Sequence, residues 1–267
     1  MGGVARPGTF WGYRRADGTS GIRNHLLVVA SVVCANVVAQ RVAALIPGAV
    51  AIPHPHGCAQ VGDDVVLTER VLAGAAANPN VGAALIIGLG CETCQASQVA
   101  ELARELAPGR AVASFYIQEA GGSIKAIARG VALGKELVAR IAGQQREEIP
   151  LTELIVGTEC GPLDASSVQA SNPVVGLVAD RVIEAGGTVL LSETPELVGT
   201  EEVLAGRARD GQVARQVIEV LQRTAQGVGG TSPAEPPHSM AERLSCIEKA
   251  GTGRIEGVLD FGTRPSG

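Results

Sequence analysis

The sequence predicts an α/β fold with a mainly parallel sheet flanked by helices, arranged as two Rossmann-like halves rich in βαβ units. Three observations carry that expectation. Apolar runs of strand length, such as residues 25–33 and 81–87, alternate with longer segments of helical pattern. The runs are continuously apolar rather than alternating, which is the pattern of strands covered on both faces. Aromatic residues make up only 2% of the chain, so Ala, Val and Gly supply a core of small side chains suited to close packing of helices on a sheet.

Residues 1–8 read as a disordered lead-in, and Asp17-Gly18 marks a turn. Residues 25–33 form the first buried strand. Cys34 follows at once, and a helix over 35–46 is broken by Pro47-Gly48. A short second strand, 49–53, ends in His54-Pro55-His56-Gly57-Cys58. Asp63 or Asp64 caps a helix over 65–77, and Asn78-Pro79-Asn80 turns the chain into the third strand. Gly88-Leu89-Gly90-Cys91-Glu92-Thr93-Cys94-Gln95 joins that strand to a helix over 96–106. A fourth strand, 111–117, ends in Gln118-Glu119-Ala120-Gly121-Gly122, and Ser123 caps a helix reaching about residue 144. The polar stretch 143–148 before Pro150 reads as a linker, which sets the first α/β unit at 9–149.

The second α/β unit, 150–230, opens with a strand edge at 154–157 that leads to Thr158-Glu159-Cys160-Gly161-Pro162-Leu163-Asp164. Asn172-Pro173 begins a helix over 174–185, since proline suits the first helical turn. A strand at 188–191 ends in Ser192-Glu193, and helical segments follow near 198–204 and 210–226. Residues 231–267 are expected to be a flexible linker and tail, with a last helix over 240–250.

The chain is weakly acidic, at net −5, and has no basic run, so nothing points to nucleic acid or an anionic membrane. No apolar run is long enough to span a bilayer, and the N-terminus lacks a signal-peptide core, so the expected compartment is the cytoplasm. There the six cysteines are expected to be reduced, and available for metal binding, catalysis or plain burial. Strand after strand ends in such chemistry: Cys34; His54, His56 and Cys58; Cys91, Glu92 and Cys94; Gln118 and Glu119; Glu159 and Cys160; Glu193. In a parallel sheet these ends share one edge. Cys34, flanked by apolar residues, reads as a small buried side chain, Cys246 as an isolated one, and His25 as structural. Cys91-x-x-Cys94 has no second CxxC to complete a structural zinc site. Carboxylate, imidazole and thiolate groups together suit iron(II), manganese(II) or zinc(II), and an iron–sulfur cluster on three or four cysteines is a less favoured alternative. The third glycine of a dinucleotide fingerprint is replaced by Thr93, and no Walker lysine is present. Gly121-Gly122 either offers backbone N–H groups to an anion or is glycine for steric reasons.

The motifs Gly12-Tyr13 through Gly18, Gly21-x-Arg23-Asn24, His54-x-x-Gly57-Cys58, Gly88-Leu89-Gly90-Cys91-Glu92, Gln118-Glu119-x-Gly121-Gly122, Cys160-Gly161, Asp164, Asn172-Pro173, Gly186-Gly187-Thr188 and Ser192-Glu193-Thr194-Pro195-Glu196 occur in that order. Together they resemble the altronate/galactarate dehydratase family of sugar-acid hydro-lyases, a group that includes a sulfolactate sulfo-lyase large subunit. The resemblance implies removal of water from an aldonate or aldarate to give a 2-keto-3-deoxy acid, with iron(II) as the usual ion. On that basis His54, Cys58, Cys91, Glu92 and Cys160 are the expected metal or substrate ligands. His56, Glu119 and Glu193 are the expected acid/base groups, and Gly121, Gly122, Asp164 and Asn172 the expected substrate contacts. Pro162-Leu163 stands where the family pattern is usually Gly-Ser, which removes a backbone donor and a hydroxyl from that loop. Family members also continue into a C-terminal domain, expected to lie beyond this sequence, and carry a small N-terminal β-domain in the chain or as a separate subunit. The expectation is an oligomeric sugar-acid dehydratase whose remaining domains are separate subunits. The alternatives are a non-catalytic binding or assembly paralogue and a C–S lyase of the sulfolactate type.

Overall fold

The computed structural model describes residues 6, 8–159, 161, 164–228 and 239–259, and the chain divides between Ile149 and Pro150 into two compact units. The first unit contains β1 (Thr9–Arg14), β2 (Ser20–Gly21), β3 (His25–Ala30), α1 (Asn36–Ala44), β4 (Ala49–Ile52), α2 (Asp63–Ala77), β5 (Val81–Gly88), α3 (Ala96–Leu106), β6 (Ala111–Tyr116), α4 (Ser123–Ile141) and β7 (Glu147–Pro150). Its main sheet has the order β4-β3-β5-β6 and is parallel throughout. β5 is buried at all eight positions. Ala83, Leu85 and Ile87 face one core with Val38, Val42 and Ile46 from the α1 side and Ala126, Leu137 and Ile141 from α4. Ala84 and Ile86 face the other core with Leu72, Ala76, Val99 and Ala103 from α2 and α3. Side chains alternate between faces, so a strand covered on both must be apolar at every position. The small residues permit close approach: a Cβ on Gly134 of α4 would lie 2.3 Å from Ile46 Cδ1.

The stretch expected to be a linker is one only over 143–146, and a strand begins at Glu147. β7 joins β1 and β2 in a second sheet of order β2-β1-β7. One side chain decides this: Ile149 is fully buried and packs beside Gly12 of β1, where a Cβ would meet Ile149 Cδ1 at 2.8 Å. Four residues with a single apolar anchor carry too little pattern to be seen in the sequence. The Arg14–Glu147 ion pair across these strands, at 2.8 Å, is solvent-exposed and adds little.

Arg15 ties this small sheet to the rest of the unit. Its buried guanidinium donates to Pro79 O at 2.7 Å, and to Arg23 O, Asn24 Oδ1 and Gln144 Oε1 at 2.8 Å each. Asn24 in turn donates to Ile141 O at 3.2 Å. The Gly21-x-Arg23-Asn24 motif is therefore structural in part. Gly21 has no room for a Cβ, which would stand 2.2 Å from Pro79 O.

The second unit contains β8 (Ile155–Thr158), α5 (Asn172–Glu184), β9 (Thr188–Leu191), α6 (Glu201–Gly206), α7 (Gly211–Val228) and α8 (Met240–Glu248). β8 and β9 are parallel, with α5 as their crossover, entered through a π-helical turn at Ser167–Ser171. The expectation of a flexible tail from residue 231 is corrected over 239–259. α8 buries Cys246 and Ile247 in a core with Leu204, Val213, Val217 and Leu221. It opens with a reciprocal capping box between Ser239 and Glu242. Residues 231–238 and 260–267 lie outside the described residues. Among the described residues no helix is long and apolar enough to cross a membrane.

Replacing Arg15 with Met would strip four acceptors of their charged donor and leave two backbone carbonyls without this partner. The expected loss is about 3 kcal/mol, from lost charge-assisted bonds and uncompensated desolvation. Urea unfolding followed by circular dichroism checks it.

Candidate active site

Parallel strands bring the loops after β3, β4, β5 and β6 to one edge of the main sheet. His54 leads the loop after β4. Its Nε2 lies 2.7 Å from Ala30 O and its Nδ1 accepts from the His56 backbone N–H at 3.2 Å. One partner accepts and the other donates, which assigns a neutral ring with its proton on Nε2. Asn36 grips the same residue from α1, donating to His54 O at 2.7 Å. Val33 N donates to His56 O at 2.9 Å, and Cys94 N to Gly57 O at 3.3 Å, so the loop is stitched to the segments that follow β3 and β5. Gly57, at φ +96°, seats against β3: a Cβ there would stand 2.1 Å from Ser31 O. His56 is left exposed, its ring stacked on that of His54 with centroids 6.2 Å apart.

Glu92 is buried and turned back toward its own strand. Its Oε1 accepts from Ser31 Oγ and Leu89 N, both at 3.0 Å, and its Oε2 accepts from Gly90 N at 2.5 Å. A Cβ on Gly88 would collide with this carboxylate at 2.2 Å, which explains the glycine. The carboxylate thus clamps the turn after β5 to the end of β3.

The two thiols of Cys91-x-x-Cys94 have different surroundings. Cys91 is exposed, whereas Cys94 is in the core, where burial, with Glu69 and Glu92 nearby, pushes its thiol up to about 12. Cys34 is exposed on the short turn Val33–Ala35 rather than buried as expected, and Cys58 is exposed as well. After β6, Glu119 is exposed. The N–H groups of Gly121 and Gly122 donate to Gln118 O and Ile117 O at 3.0 Å, closing their own turn. Gly122 rather than Ser123 occupies the cap of α4. Beside the end of β4 lies a cleft of about 340 Å³ lined by His54, His56, Gln60, Asp64, Leu67, Thr68, Val71 and Leu72.

The remaining expected residues belong to the second unit. Asp164 is exposed and caps the turn that follows: its Oδ1 accepts from Ser166 Oγ at 2.7 Å, Ser166 N at 2.8 Å and Ser167 N at 2.9 Å. These bonds, led by the Ser166 hydroxyl, hold its carboxyl below the usual range. Asn172 is buried at the start of α5, where it donates to Ser245 Oγ of α8 at 3.0 Å. Glu193 follows β9 and pairs with Lys249, which lies just past α8. Cys160 lies outside the described residues. Sequence reasoning missed Ser31, Gln60 and Lys249. Single hydroxyl, amide or ammonium groups give no spacing signal, and a lysine at a helix end ordinarily reads as solvated.

Among the described residues no group of three or more His, Cys, Asp and Glu side chains is arranged to hold a metal ion. The hydrogen bonds give the reason: both ring nitrogens of His54 and both oxygens of Glu92 are already engaged. As they stand, these two expected ligands do not fit a metal ion.

The layout is that of an α/β protein with its ligand edge at the strand C-termini. Residues 12–142 match the family model described as D-galactarate dehydratase/altronate hydrolase, second domain, and residues 151–233 match D-galactarate/altronate dehydratase, C-terminal. The chain is 34% identical over 274 residues to the (2R)-sulfolactate sulfo-lyase subunit beta of Chromohalobacter salexigens, covering 97% of this chain and 69% of that one. It is 32% identical over 281 residues to altronate dehydratase of Bacillus subtilis, covering 95% and 55%, and 27% identical over 288 residues to galactarate dehydratase (L-threo-forming) of Escherichia coli, covering 97% and 55%. The chain belongs to the D-galactarate/altronate dehydratase family. It spans about half the length of the two dehydratases. The match over 151–233 corrects one expectation: sequence matching the family's C-terminal model is already present within this chain.

Two measurements check the site. Glu92→Gln places an amide N–H₂ against backbone donors and is expected to cost about 2 kcal/mol, with Ser31→Ala costing about 1 kcal/mol. A double-mutant cycle should show coupling between them, because they share one bond. Iodoacetamide at pH 8 followed by peptide mapping should label Cys34, Cys58 and Cys91 rapidly. A thiol at about 12 is ionised in only about one molecule in 10⁴ at that pH, so Cys94 should label only after unfolding.

Proposed function

We propose that this chain carries out, alone or with partner subunits, a hydro-lyase reaction on a sugar acid of the aldonate or aldarate class, giving a 2-keto-3-deoxy acid. Family membership supports the reaction class. The observation that carries the reading is the edge of the main sheet, where one cleft, walled in part by Leu67, Val71 and Leu72, holds a fixed imidazole, His54, beside an exposed one, His56. Such a substrate loses the proton at C2 and the hydroxyl at C3, and the resulting enol tautomerises to the keto acid. His56 and Glu119 of the first unit are the proposed proton-transfer groups. Among the polar residues lining the cleft, Gln60 accepts from Gly57 N and Thr68 donates to Asp64 O, so the Asp64 carboxylate is the group proposed to bond a polyol. His54 and Glu92 hold the loops that present these side chains.

The identity to a sulfolactate sulfo-lyase subunit supports a second reading with the same first half. Loss of the C2 proton and cleavage of a C3–S bond would release sulfite in place of water. Partner subunits and oligomer formation are proposed on the same ground, since that relative is named as one subunit of its enzyme. Iron(II), or manganese(II) or zinc(II) in its place, is proposed only with His54 and Glu92 released from their present partners, and no step of the reaction is assigned to it.

The test is an anaerobic assay of the chain, with iron(II) present and absent, on a panel of aldonates, aldarates and sulfolactate, reading keto acid and sulfite separately. Keto acid from a sugar acid without sulfite is the expected result. His56→Asn is expected to lower kcat/KM by about 10²-fold or more without lowering the unfolding midpoint. Unchanged kcat/KM would remove His56 from the reaction, and a folded chain inactive on every acid would leave a binding or assembly role. Elemental analysis of the same protein reports bound iron.

A further inference from the structure

β4 is the edge of the main sheet, and among the described residues no strand pairs with its outer side. Its side chains on the α2 face are poorly covered: Val50 is 40% exposed and Ile52 44%. With Leu27 and Ala75 they line a second cleft, of about 200 Å³. The opposite face of β4 is covered, because Ala49 and Ala51 pack against the core shared with α1 and α4. An open edge strand is a template for another strand, and proteins commonly blunt such edges with lysine or a bulge. β4 has neither. Its pairing with β3 runs without a break, and no Asp, Glu, Lys or Arg occurs from residue 42 to residue 62. The charges lie at the two ends instead. Arg41 is in the last turn of α1, and Arg23 precedes His25, whose ring lies 3.4 Å from Gly48 O at the start of β4. Asp63 and Asp64 stand beyond the other end, in the first turn of α2. All four are exposed, and none has an ion-pair partner among the described residues.

We infer that β4 is the docking edge for a second copy of this chain, whose own β4 pairs with it antiparallel across a two-fold axis at Ala51, joining the two sheets into one. An axis normal to the sheet keeps each face on its own side, so opposite residues must point the same way. Centring on Ala51 meets that condition. It also sets Val50 against Ile52 of the second copy, twice, so the exposed side chains cover one another. Antiparallel pairing lays the acidic end of each copy beside the basic end of the other, while the neutral middle offers nothing to repel its own likeness. A charged partner of another kind would meet no opposite charge along the strand. His54 stands three residues past the axis, so the start of the second copy's β4 lies beside it and walls one side of the cleft at His54 and His56. The oligomer formation proposed above thereby acquires a face and a symmetry, and neither depends on turnover.

The test is sedimentation velocity of the wild-type chain, Val50→Lys and Ile52→Lys at about 1 to 100 µM, with circular dichroism of each. The wild type is expected at twice the mass of the chain. Either lysine enters the interface twice and is expected to raise the dissociation constant about 10²-fold or more. The circular dichroism should not change, since both positions are exposed in the single chain. Ala51→Cys tests the register without adding charge. Opposite residues of an antiparallel pair stand about 5 Å apart, so oxidation with diamide and peptide mapping should find residue 51 of one copy linked to residue 51 of the other. A wild-type monomer across that range, a dimer that both lysine variants leave intact, or a dimer never linked at residue 51 would overturn the inference. The hydro-lyase reading would stand, since the keto-acid assay decides it separately.

Discussion

The first unit depends on the burial of β5 along its whole length. A strand with no solvent on either face must pair all its backbone groups with neighbours, and β3 and β6 supply those bonds. It must also be covered twice, by α1 and α4 on one face and by α2 and α3 on the other. Those crossovers force the strands to run parallel. Parallel strands end together, so every loop that leaves a C-terminus arrives at the same edge. The location of the candidate site follows from covering one apolar strand.

Gathering loops at an edge does not hold them there. Short polar links between strand ends do that. Glu92 binds the turn after β5 to Ser31 at the end of β3, and His54 binds the loop after β4 to Ala30. Gly57 closes the gap because no larger residue fits over Ser31. Each link spends a reactive-looking side chain on position, and those left facing solvent include Cys34, His56, Cys58, Cys91 and Glu119. The family motifs at this edge thus combine two kinds of residue, those that shape the loops and those that the loops present. A histidine or glutamate looks alike in either role until its hydrogen bonds are seen.

The second unit solves a similar problem with fewer strands. β8 and β9 are short, and their ends are joined through Ser192 and Thr158. α8 completes the unit from a distance in sequence, supplying Ser245 to Asn172, Cys246 to Glu196 and the apolar Ile247 to the core. Lys249, one residue beyond α8, meets Glu193 only because that helix packs back onto the unit. In both units the polar side chains at the strand ends are held by charge and hydrogen bonds rather than by the strands that carry them.

The sequence by itself determined the α/β class, the four parallel strands at 25–33, 49–53, 81–87 and 111–117, the helices between them and the family. Continuous apolar runs and glycine or proline breaks are local signals, and burial on two faces writes them plainly. It also placed His54, His56, Cys58, Cys91, Glu92 and Glu119 at one edge, since parallel strands leave no alternative. Only the tertiary structure decided what each of those side chains does there. It turned Glu92 and His54 inward onto backbone groups, put Cys94 in the core and Cys34 at the surface, and made a strand of β7 with Ile149 as its buried anchor. It also brought Lys249 to Glu193 across 56 positions of chain. Such outcomes depend on which donor meets which acceptor after packing, and sequence spacing carries no record of that encounter.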